Sequence, residues 1–540
     1  MSFVRPCATV KVKGPAAATP LCSSGTMNDA SRRRSVRMSS APASSRLLLS
    51  SLAVGGLALA CGSCAWILGY QDGVAQGASG DASPAEGATG GDGACGDTTS
   101  DASNCGACGV QCATGLACHR GACGDIVQVA TGQYVDCVVT WLGQVYCWGN
   151  NSSAELGSLP PDPDASAGPP CRHGACSPTP ALIGGLGTVV GVSLGEESAC
   201  ALDDKGAVSC WGGDYAQVLG YTMPIVSCPF TPCQPTPQQV VFPAGTTIAE
   251  IVNGAQADCA RSTSGDVYCW GSNEGGLLGV SQATQTSSAT PVHVTSNVAA
   301  LDVSQFFHAC AVLIDGSVSC WGFNDEGKLG HAPTQPPDTT CPPNNDLCNP
   351  TPTPLSDTNV THAADVRTGG GFSCALGQDQ TVRCWGTNQQ DALGNAMAKS
   401  TFSGVVPTSL PAVKALTAGG SQVFAWTPSG SVLAWGEGGS GTLGLPLPTT
   451  LCNDGHSFCA VQPTPVPSLQ GAVQISARWG AGLALMRDGR VLAWGVNDDA
   501  QLGHMPGDGG DVTTCDPVGN PAVTPHCNPT PQPVAGLQLQ

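Results

Sequence analysis

Seven times along this chain, a Trp-Gly pair is followed by a Leu-Gly pair whose Leu lies eight residues after the Trp. A Gly also lies five residues before the Trp in six of these units, and Gln380 takes that position in the fifth. The pairs are Trp148 and Leu156, Trp211 and Leu219, Trp270 and Leu278, Trp321 and Leu329, Trp385 and Leu393, Trp435 and Leu443, and Trp494 and Leu502. Successive Trp residues are 50 to 64 positions apart, a period typical of blade or solenoid arrays.

One unit shows which elements the repeat encodes. In the second unit, residues 200–203 and 207–211 fit two short strands, and a turn containing Gly206 joins them. Another apolar run, 189–194, precedes this hairpin, and no segment shows helical periodicity. A small sheet cannot bury both of its faces alone, so neighbouring units must stack. We therefore predict an all-β fold, with residues 124–540 forming a seven-bladed β-propeller of four-stranded antiparallel blades.

The two ends of this region predict how the ring closes. Residues 529–537 match the opening of a repeat, as at 463–470, whereas the first repeat lacks that opening and starts at 125–132. We expect 529–537 to pair beside 125–132 in a shared blade, because this would remove an open sheet edge.

Residues 125–540 resemble the regulator of chromosome condensation repeat family, most clearly over 315–330 and 488–503. The resemblance implies a seven-bladed propeller in which the Trp residues pack in the blade cores. It says less about activity, because the family includes small-GTPase exchange factors, enzyme-inhibiting proteins and exported proteins.

Twenty of the 30 cysteines recur at two places in the repeat. The hairpin pairs are Cys137 with Cys147, Cys200 with Cys210, Cys259 with Cys269, Cys310 with Cys320, and Cys374 with Cys384. The loop pairs, each before a Pro-Thr-Pro, are Cys171 with Cys176, Cys228 with Cys233, Cys341 with Cys348, Cys452 with Cys459, and Cys515 with Cys527. Both members are present or absent together; blade six has Phe424 and Ala434 at the hairpin positions, and blade seven has Leu483 and Ala493. This behaviour predicts ten disulfides.

Six further cysteines lie within 95–123, which predicts a small disulfide-rich module ahead of the propeller. A zinc site formed by Cys105, Cys108, Cys112 and His119 is the alternative.

The N-terminal region has the character of an export signal. Four arginines within 32–37 precede the apolar run 47–60, which is too short for a comfortable membrane span. The pair Ala60-Cys61 resembles a bacterial lipoprotein processing site and predicts lipidation of Cys61, with ordinary cleavage nearby as the alternative. We predict that residues 1–61 form this signal, with Met27 or Met38 as alternative starts, and that 62–94 form a flexible linker.

Charge and motif content narrow the functional classes. Without residues 1–61, 12 basic residues remain against 38 acidic ones, which disfavours nucleic-acid and anionic-membrane binding. No nucleophile elbow, phosphate loop or zinc-protease motif is present in the sequence, so no catalytic, cofactor or metal residues are assigned.

We expect an exported, non-enzymatic, monomeric binding protein whose ligand is a protein or polymer. An extracellular polysaccharide-acting enzyme or an enzyme inhibitor is one alternative, and a guanine-nucleotide exchange factor, by family analogy, is another. Acidic and aromatic side chains gathered in a central funnel would favour an enzyme. Five Cys-paired segments should emerge on one face and bind the partner: 158–177, 221–234, 331–349, 445–462 and 504–528.

Overall fold

The structure of the protein is a computed structural model. It describes residues 99–537 apart from 106–110, 113–115, 161–170, 223–225, 230, 334–336, 342–345, 356, 358, 397–399, 479, 514 and 516–525. The predicted signal, the lipidation site Cys61 and the linker 62–94 lie outside the described residues.

Seven antiparallel sheets, here called blades one to seven, form the framework of the described part of the chain. The first three are blade one (Ile126–Thr131, Val135–Thr140, Val145–Asn150 and Cys176–Leu182), blade two (Val189–Leu194, Ser198–Asp203, Val208–Gly213 and Pro232–Gln239) and blade three (Ile248–Asn253, Ala257–Ser262, Val267–Ser272 and Ser287–Thr295). The others are blade four (Val298–Val303, His308–Leu313, Val318–Phe323 and Asp346–Pro354), blade five (Ala363–Thr368, Phe372–Gly377, Val382–Thr387 and Ser400–Val405), blade six (Ala415–Gly419, Gln422–Trp426, Val432–Glu437 and Cys459–Pro465) and blade seven (Ala472–Arg478, Ala481–Met486, Val491–Val496 and Cys527–Pro533). The predicted seven-bladed propeller is confirmed.

Short elements decorate this framework. Val226–Ser227 adds a fifth strand to blade two, and Thr339–Cys341 does the same in blade four. Three single-turn 3₁₀ helices lie at Tyr215–Gln217, Glu274–Gly276 and Pro467–Leu469. No helix among the described residues is long and apolar enough to cross a membrane.

The repeated Trp links each blade to the one before it. Every Trp of the repeat is at most 1% exposed. Its indole Nε1–H donates to the backbone carbonyl just before the Leu-Gly of the preceding blade. These bonds are Trp211 to Glu155, Trp270 to Val218, Trp321 to Leu277, Trp385 to Lys328, Trp435 to Ala392, Trp494 to Thr442 and Trp148 to Gln501, at 2.7–3.0 Å. The fixed Trp–Leu spacing is therefore the spacing of a ring of inter-blade contacts.

The Gly after each Trp is required by a close backbone approach. At Gly212, φ is +100°, and a Cβ would collide with the carbonyl oxygen of Glu197 in the neighbouring turn. Only glycine meets both conditions without strain. The hairpin position is less strict, since Gln380 adopts the left-handed conformation there with φ of +66°.

The prediction of a blade shared by the two ends is wrong. Strand Cys527–Pro533 pairs with Val491–Val496 as the outer strand of blade seven, and Ile126–Thr131 is the innermost strand of blade one. The Pro-Thr-Pro segment thus ends one blade and does not begin the next, so every blade is built from contiguous sequence. The ring closes by packing: Ile126 and Trp148 share a buried cluster with blade seven.

Disulfides join the hairpin cysteines across the second and third strands of the first five blades. These bonds are Cys137–Cys147, Cys200–Cys210, Cys259–Cys269, Cys310–Cys320 and Cys374–Cys384. Their cysteines are fully buried and lie directly opposite each other, with Cα atoms 4.0–4.1 Å apart. In the same register, Phe424 faces Ala434 in blade six and Leu483 faces Ala493 in blade seven. Apolar packing therefore replaces the disulfide in the last two blades.

Disulfides also join the loop cysteines that precede the outer strands. These bonds are Cys171–Cys176, Cys228–Cys233, Cys341–Cys348, Cys452–Cys459 and Cys515–Cys527. They belong to blades one, two, four, six and seven, and each closes the loop between the third and fourth strands.

The cysteine-rich segment has two described disulfides, Cys105–Cys118 and Cys112–Cys123. Their sulfurs are committed to these bonds, which leaves neither Cys105 nor Cys112 as a thiolate for zinc. Strands Cys118–His119 and Ala122–Cys123 form a small hairpin, and the His119 ring stacks on Trp141 of blade one at 4.6 Å. The segment is therefore packed against the propeller.

Candidate binding surface

Strand order divides the propeller connections between two faces. In an antiparallel blade, the turn from the first strand to the second and the loop from the third to the fourth leave the same edge. Because rotation relates the blades, all of these connections lie on one side, which we call the loop face. The other connections form the opposite face. All five Cys-paired loops belong to the loop face.

The two faces differ in charge. Among the described residues, the loop-face connections contain 14 acidic and two basic residues, and the opposite-face connections contain six and four. The loop-face residues are Glu155, Glu196, Glu197, Asp214, Glu274, Asp325, Glu326, Asp338, Asp391, Asp454, Asp498, Asp499, Asp508 and Asp511, with Arg172 and Lys328; the others are Asp204, Asp266, Asp315, Asp357, Asp379 and Asp488, with Lys205, Lys414, Arg487 and Arg490. The negative charge of the connections is thus concentrated on the loop face.

The loop pairs have a structural role that the sequence did not predict: each disulfide-closed (stapled) loop, or the proline that follows it in the outer strand, contacts the preceding blade. In blade one, the loop closed by Cys171–Cys176 reaches blade seven. Its Arg172 Nη1 donates to Asp498 at 2.7 Å, and the backbone N–H of His173 donates to Asp499 at 2.9 Å. The His173 Nδ1 also lies 2.6 Å from the second Asp499 oxygen.

The stapled loops of blades six and two make equivalent contacts. In blade six, Asn453 Nδ2 donates to Asp391 of blade five at 2.7 Å. In blade two, the Thr231 hydroxyl lies 3.1 Å from Ser153 Oγ of blade one, and the Cys228–Cys233 disulfide packs on Ala154.

In blades four and seven, the proline after the staple makes the contact. A Cβ at Gly276 of blade three would overlap Pro350 of blade four, and one at Gly441 of blade six would lie 2.8 Å from Pro529 of blade seven. We call each of the five disulfide-closed loops, together with the proline that follows it, a clasp, because this segment holds its blade against the one before.

The clasps of blades four and seven share a further anchor. His331 Nε2 lies 2.7 Å from Asp338, and the other oxygen of Asp338 accepts from Asn324 Nδ2 at 2.7 Å. The same trio recurs as His504, Asp511 and Asn497, with distances of 2.9 and 2.7 Å. These histidines support the loops.

Blades three and five lack staples. Blade five still covers its neighbour, because Phe402 packs against Gly327 of blade four, and Gln389 donates to Glu326 at 2.7 Å. In blade three, the loop hydrogen bonds stay within the blade, for example from Asn273 Nδ2 to the Gln285 carbonyl at 2.6 Å. The junction of blades two and three therefore has no disulfide-closed loop, although the outer strand Ser287–Thr295 lies against the short helix Tyr215–Gln217.

A cleft of about 390 Å³ lies at this junction. Blade two lines it with Glu196, Glu197, Tyr215 and Thr231, and blade three adds Ala255 and Gln256. The Tyr215 side chain is 56% exposed, so its ring is available at the cleft.

The cleft carboxylates have different surroundings. Glu197 Oε2 accepts from Ser153 Oγ at 3.1 Å and from Thr231 Oγ1 at 3.2 Å. Within the described part of the chain, Glu196 has no ion-pair or hydrogen-bond partner for its side chain. Burial and the neighbouring Glu197 charge raise the pKa of Glu196 above its usual value. Burial, together with the charges of Glu196, Asp499 and Glu197, raises the pKa of Tyr134 in blade one to about 12.

The central channel contains charges that pair with one another. Arg261 Nε lies 2.6 Å from Glu250, and Arg367 Nη2 lies 3.0 Å from Asp365. Asp302 accepts from the backbone and hydroxyl of Thr368 at 2.6 and 2.8 Å.

Arg478 of blade seven crosses this channel. Its guanidinium donates to the Asn253 carbonyl of blade three and lies 4.0 Å from Asp302 of blade four. Three arginines thus lie beside the acidic side chains Glu250, Asp302 and Asp365, an arrangement that differs from the open funnel of acidic and aromatic side chains considered above.

The sequence analysis did not identify the cleft at Glu196 and Glu197. One signal was available, since among the described first-to-second-strand turns this is the one that contains acidic residues. The clasp contacts join residues far apart in sequence, such as His173 and Asp499, and had no local signal.

Comparison with known proteins agrees with the fold. The family model described as the Regulator of chromosome condensation (RCC1) repeat matches residues 315–376, from the hairpin turn of blade four into blade five. The crystal structure of Prp20p from Saccharomyces cerevisiae aligns with a TM-score of 0.56 at 19% identity, covering 74% of this chain and 87% of that one. A human structure, WBSCR16, aligns with a TM-score of 0.55 at 17% identity, covering 72% and 93%.

Curated proteins with similar sequences cover different shares of this chain. The human E3 ubiquitin-protein ligase HERC2 is 26% identical over 310 residues, which is 56% of this chain but only 6% of HERC2. Protein pim1 of Schizosaccharomyces pombe is 25% identical over 396 residues, or 71% of this chain and 61% of pim1. Residues 315–376 thus match the RCC1 repeat, and the seven Trp-linked blades are similar in fold to the solved structures above.

Proposed function

We propose that this protein is an exported, non-enzymatic binding platform whose loop face docks a positively charged surface of a protein partner. The charge difference between the faces carries the proposal. An acidic face on a rigid scaffold attracts basic surfaces over several ångströms and speeds their encounter.

The disulfides support a location outside the reducing cytosol, because such bonds persist in oxidising compartments. We further propose that residues 1–61 direct export and that Cys61 is lipidated. Mass spectrometry of the mature N-terminus from the native host tests this: an acylated Cys61 supports the anchor, and a different unmodified N-terminus refutes it.

The arginines beside the channel carboxylates favour binding over polysaccharide catalysis. Glycosidases of the common type need two carboxylates that are free to act as acid and base. Here Glu250, Asp302 and Asp365 are each held by arginine or hydroxyl groups.

Affinity capture with matched variants tests the docking face. The loop-face variant is Asp325→Asn/Asp508→Asn, and the opposite-face variant is Asp204→Asn/Asp379→Asn; all four side chains are exposed. Each variant removes two negative charges. The full mature chain, immobilised and incubated with cell-surface extract, should retain basic proteins that elute with salt.

The loop-face variant should lose these proteins, whereas the opposite-face variant should keep them. Equal retention by both variants would place the docking surface elsewhere.

A further inference from the structure

The cleft between blades two and three differs from the other junctions of the propeller. Clasps cover five junctions, and Phe402 covers the one between blades four and five. At the remaining junction, Glu196 and Tyr215 line an open recess. The absence of a staple in blade three is therefore matched by a space that a partner can enter.

The walls of this cleft suit one kind of chemical group. Glu196 and Glu197 supply two carboxylates, Tyr215 supplies an exposed aromatic ring, and Gln256 of blade three adds an amide. The described lining residues include no basic side chain. A guanidinium can pair with a carboxylate through two N–H groups and also stack on an aromatic face.

Extending the proposed function, we propose that this cleft is a subsite that receives an arginine side chain of the protein partner. The guanidinium pairs with Glu196, whose carboxylate has no partner within the described chain, and stacks against Tyr215. Glu197 is held by Ser153 and Thr231, so it stays fixed while the arginine enters.

The electrostatics agree with this assignment. Two adjacent carboxylates in a half-buried position repel each other, and this repulsion contributes to the raised pKa of Glu196. A bound cation relieves the repulsion and favours the ionised form.

Lysine fits the cleft less well. An ammonium is a compact, strongly hydrated charge. It makes no bidentate contact with a carboxylate, and it has no flat surface to stack on an aromatic ring. The subsite should therefore distinguish arginine from lysine, whereas a diffuse acidic face would attract both equally.

Fluorescence anisotropy with labelled hexa-arginine and hexalysine peptides tests the subsite on the full mature chain. The parent protein should bind hexa-arginine more tightly, and the binding should weaken with salt. Glu196→Gln should weaken hexa-arginine binding about tenfold, and Tyr215→Leu should remove the preference for arginine. The control Asp204→Asn removes one charge from the opposite face and should leave the affinity unchanged.

The outcomes separate this subsite from the wider docking proposal. If Glu196→Gln binds hexa-arginine like Asp204→Asn, and Tyr215→Leu keeps the preference, the cleft is not the subsite. The acidic face would still stand if Asp325→Asn/Asp508→Asn lost affinity for both peptides. If no loop-face substitution changed the affinity for either peptide, the proposed docking face would fall as well. Thermal melts of each variant exclude unfolding as the cause.

Discussion

The indole Nε1–H of Trp148 donates to the backbone carbonyl of Gln501 at 2.7 Å, across the junction between the first blade and the last. The two residues are separated by 353 positions in the sequence, yet their contact has the same form as the six contacts between consecutive blades. The propeller is therefore closed by the contact that also joins its neighbouring blades, without a shared strand.

Trp148→Phe tests this closure. Phenylalanine keeps most of the packing but leaves the buried Gln501 carbonyl without its donor, which should lower the free energy of unfolding by about 1–3 kcal/mol. Trp321→Phe removes the same bond from an interior junction and serves as the control. Chemical denaturation should give similar losses for both variants. A negligible loss for Trp148→Phe beside a clear loss for Trp321→Phe would indicate an open ring.

The clasp between blades one and seven can be released at Asp499. Its buried carboxylate accepts from His173 at 2.9 Å and lies 3.3 Å from the amide of Asn150. Asp499→Ala should expose the 171–176 loop to proteolysis and cost roughly 2 kcal/mol, because buried donors lose their acceptor. Asp508→Ala, an exposed aspartate in the same blade, should change neither quantity. Protease resistance equal to the parent protein would show that the staple alone holds the loop.

The buried carboxyl of Glu155 should make the free energy of unfolding depend on pH. Burial raises its pKa to about 8, despite bonds from backbone N–H groups that include that of Ser153 at 2.8 Å. The folded state thus holds a proton that the unfolded state releases near pH 4.5. The contribution of Glu155 is fully present below about pH 4.5 and is lost as the pH rises through about 8.

Glu155→Gln keeps the shape of the side chain but cannot ionise. Between pH 5 and pH 8, the parent should lose unfolding free energy that the variant keeps. Proton linkage puts this relative loss at a few kcal/mol. Urea titrations at several pH values measure it. A difference that does not change with pH would mean that Glu155 is ionised at no extra cost.

The two classes of disulfide should respond differently to reduction. Cys200–Cys210 is fully buried between paired strands, whereas Cys171–Cys176 is half-buried in a loop. Mild reductant without denaturant should open Cys171–Cys176 first, as shown by alkylation and peptide mapping. Replacing Cys200 and Cys210 together by alanine should cost about 2–3 kcal/mol. Early labelling of Cys200 would contradict the buried hairpin assignment.

The repeats determined the fold from sequence because the same packing problem is solved seven times. The Trp, Gly and Leu positions each have a local backbone or burial requirement, as at Trp211 and Gly212, and such requirements leave a periodic trace. The sequence pattern did not show at which strand each blade begins and ends. The Pro-Thr-Pro strand could have begun one blade or ended another, and only the pairing of Cys527–Pro533 with Val491–Val496 decides between them.

The candidate site was less accessible from sequence. The Cys pairs indicated which loops are long and stapled, but not that each clasp holds a neighbouring blade. The cleft at Glu196 and Tyr215 depends on which junction lacks such a clasp, and that is a property of the assembled ring. The composition showed that the chain is acidic. Its concentration of acidic residues on one face could be recognised only once the order of the strands was known.

The central claim is that the loop face, with its cleft at Glu196, binds basic groups of a partner. Hydrogen exchange of the full mature chain with and without hexa-arginine tests this claim most directly. The claim predicts slower exchange in the loop-face segments 195–197, 214–217 and 255–256, with no change in the opposite-face turns 204–207 and 314–317. Protection confined to the opposite-face turns, or spread equally over both faces, would contradict it.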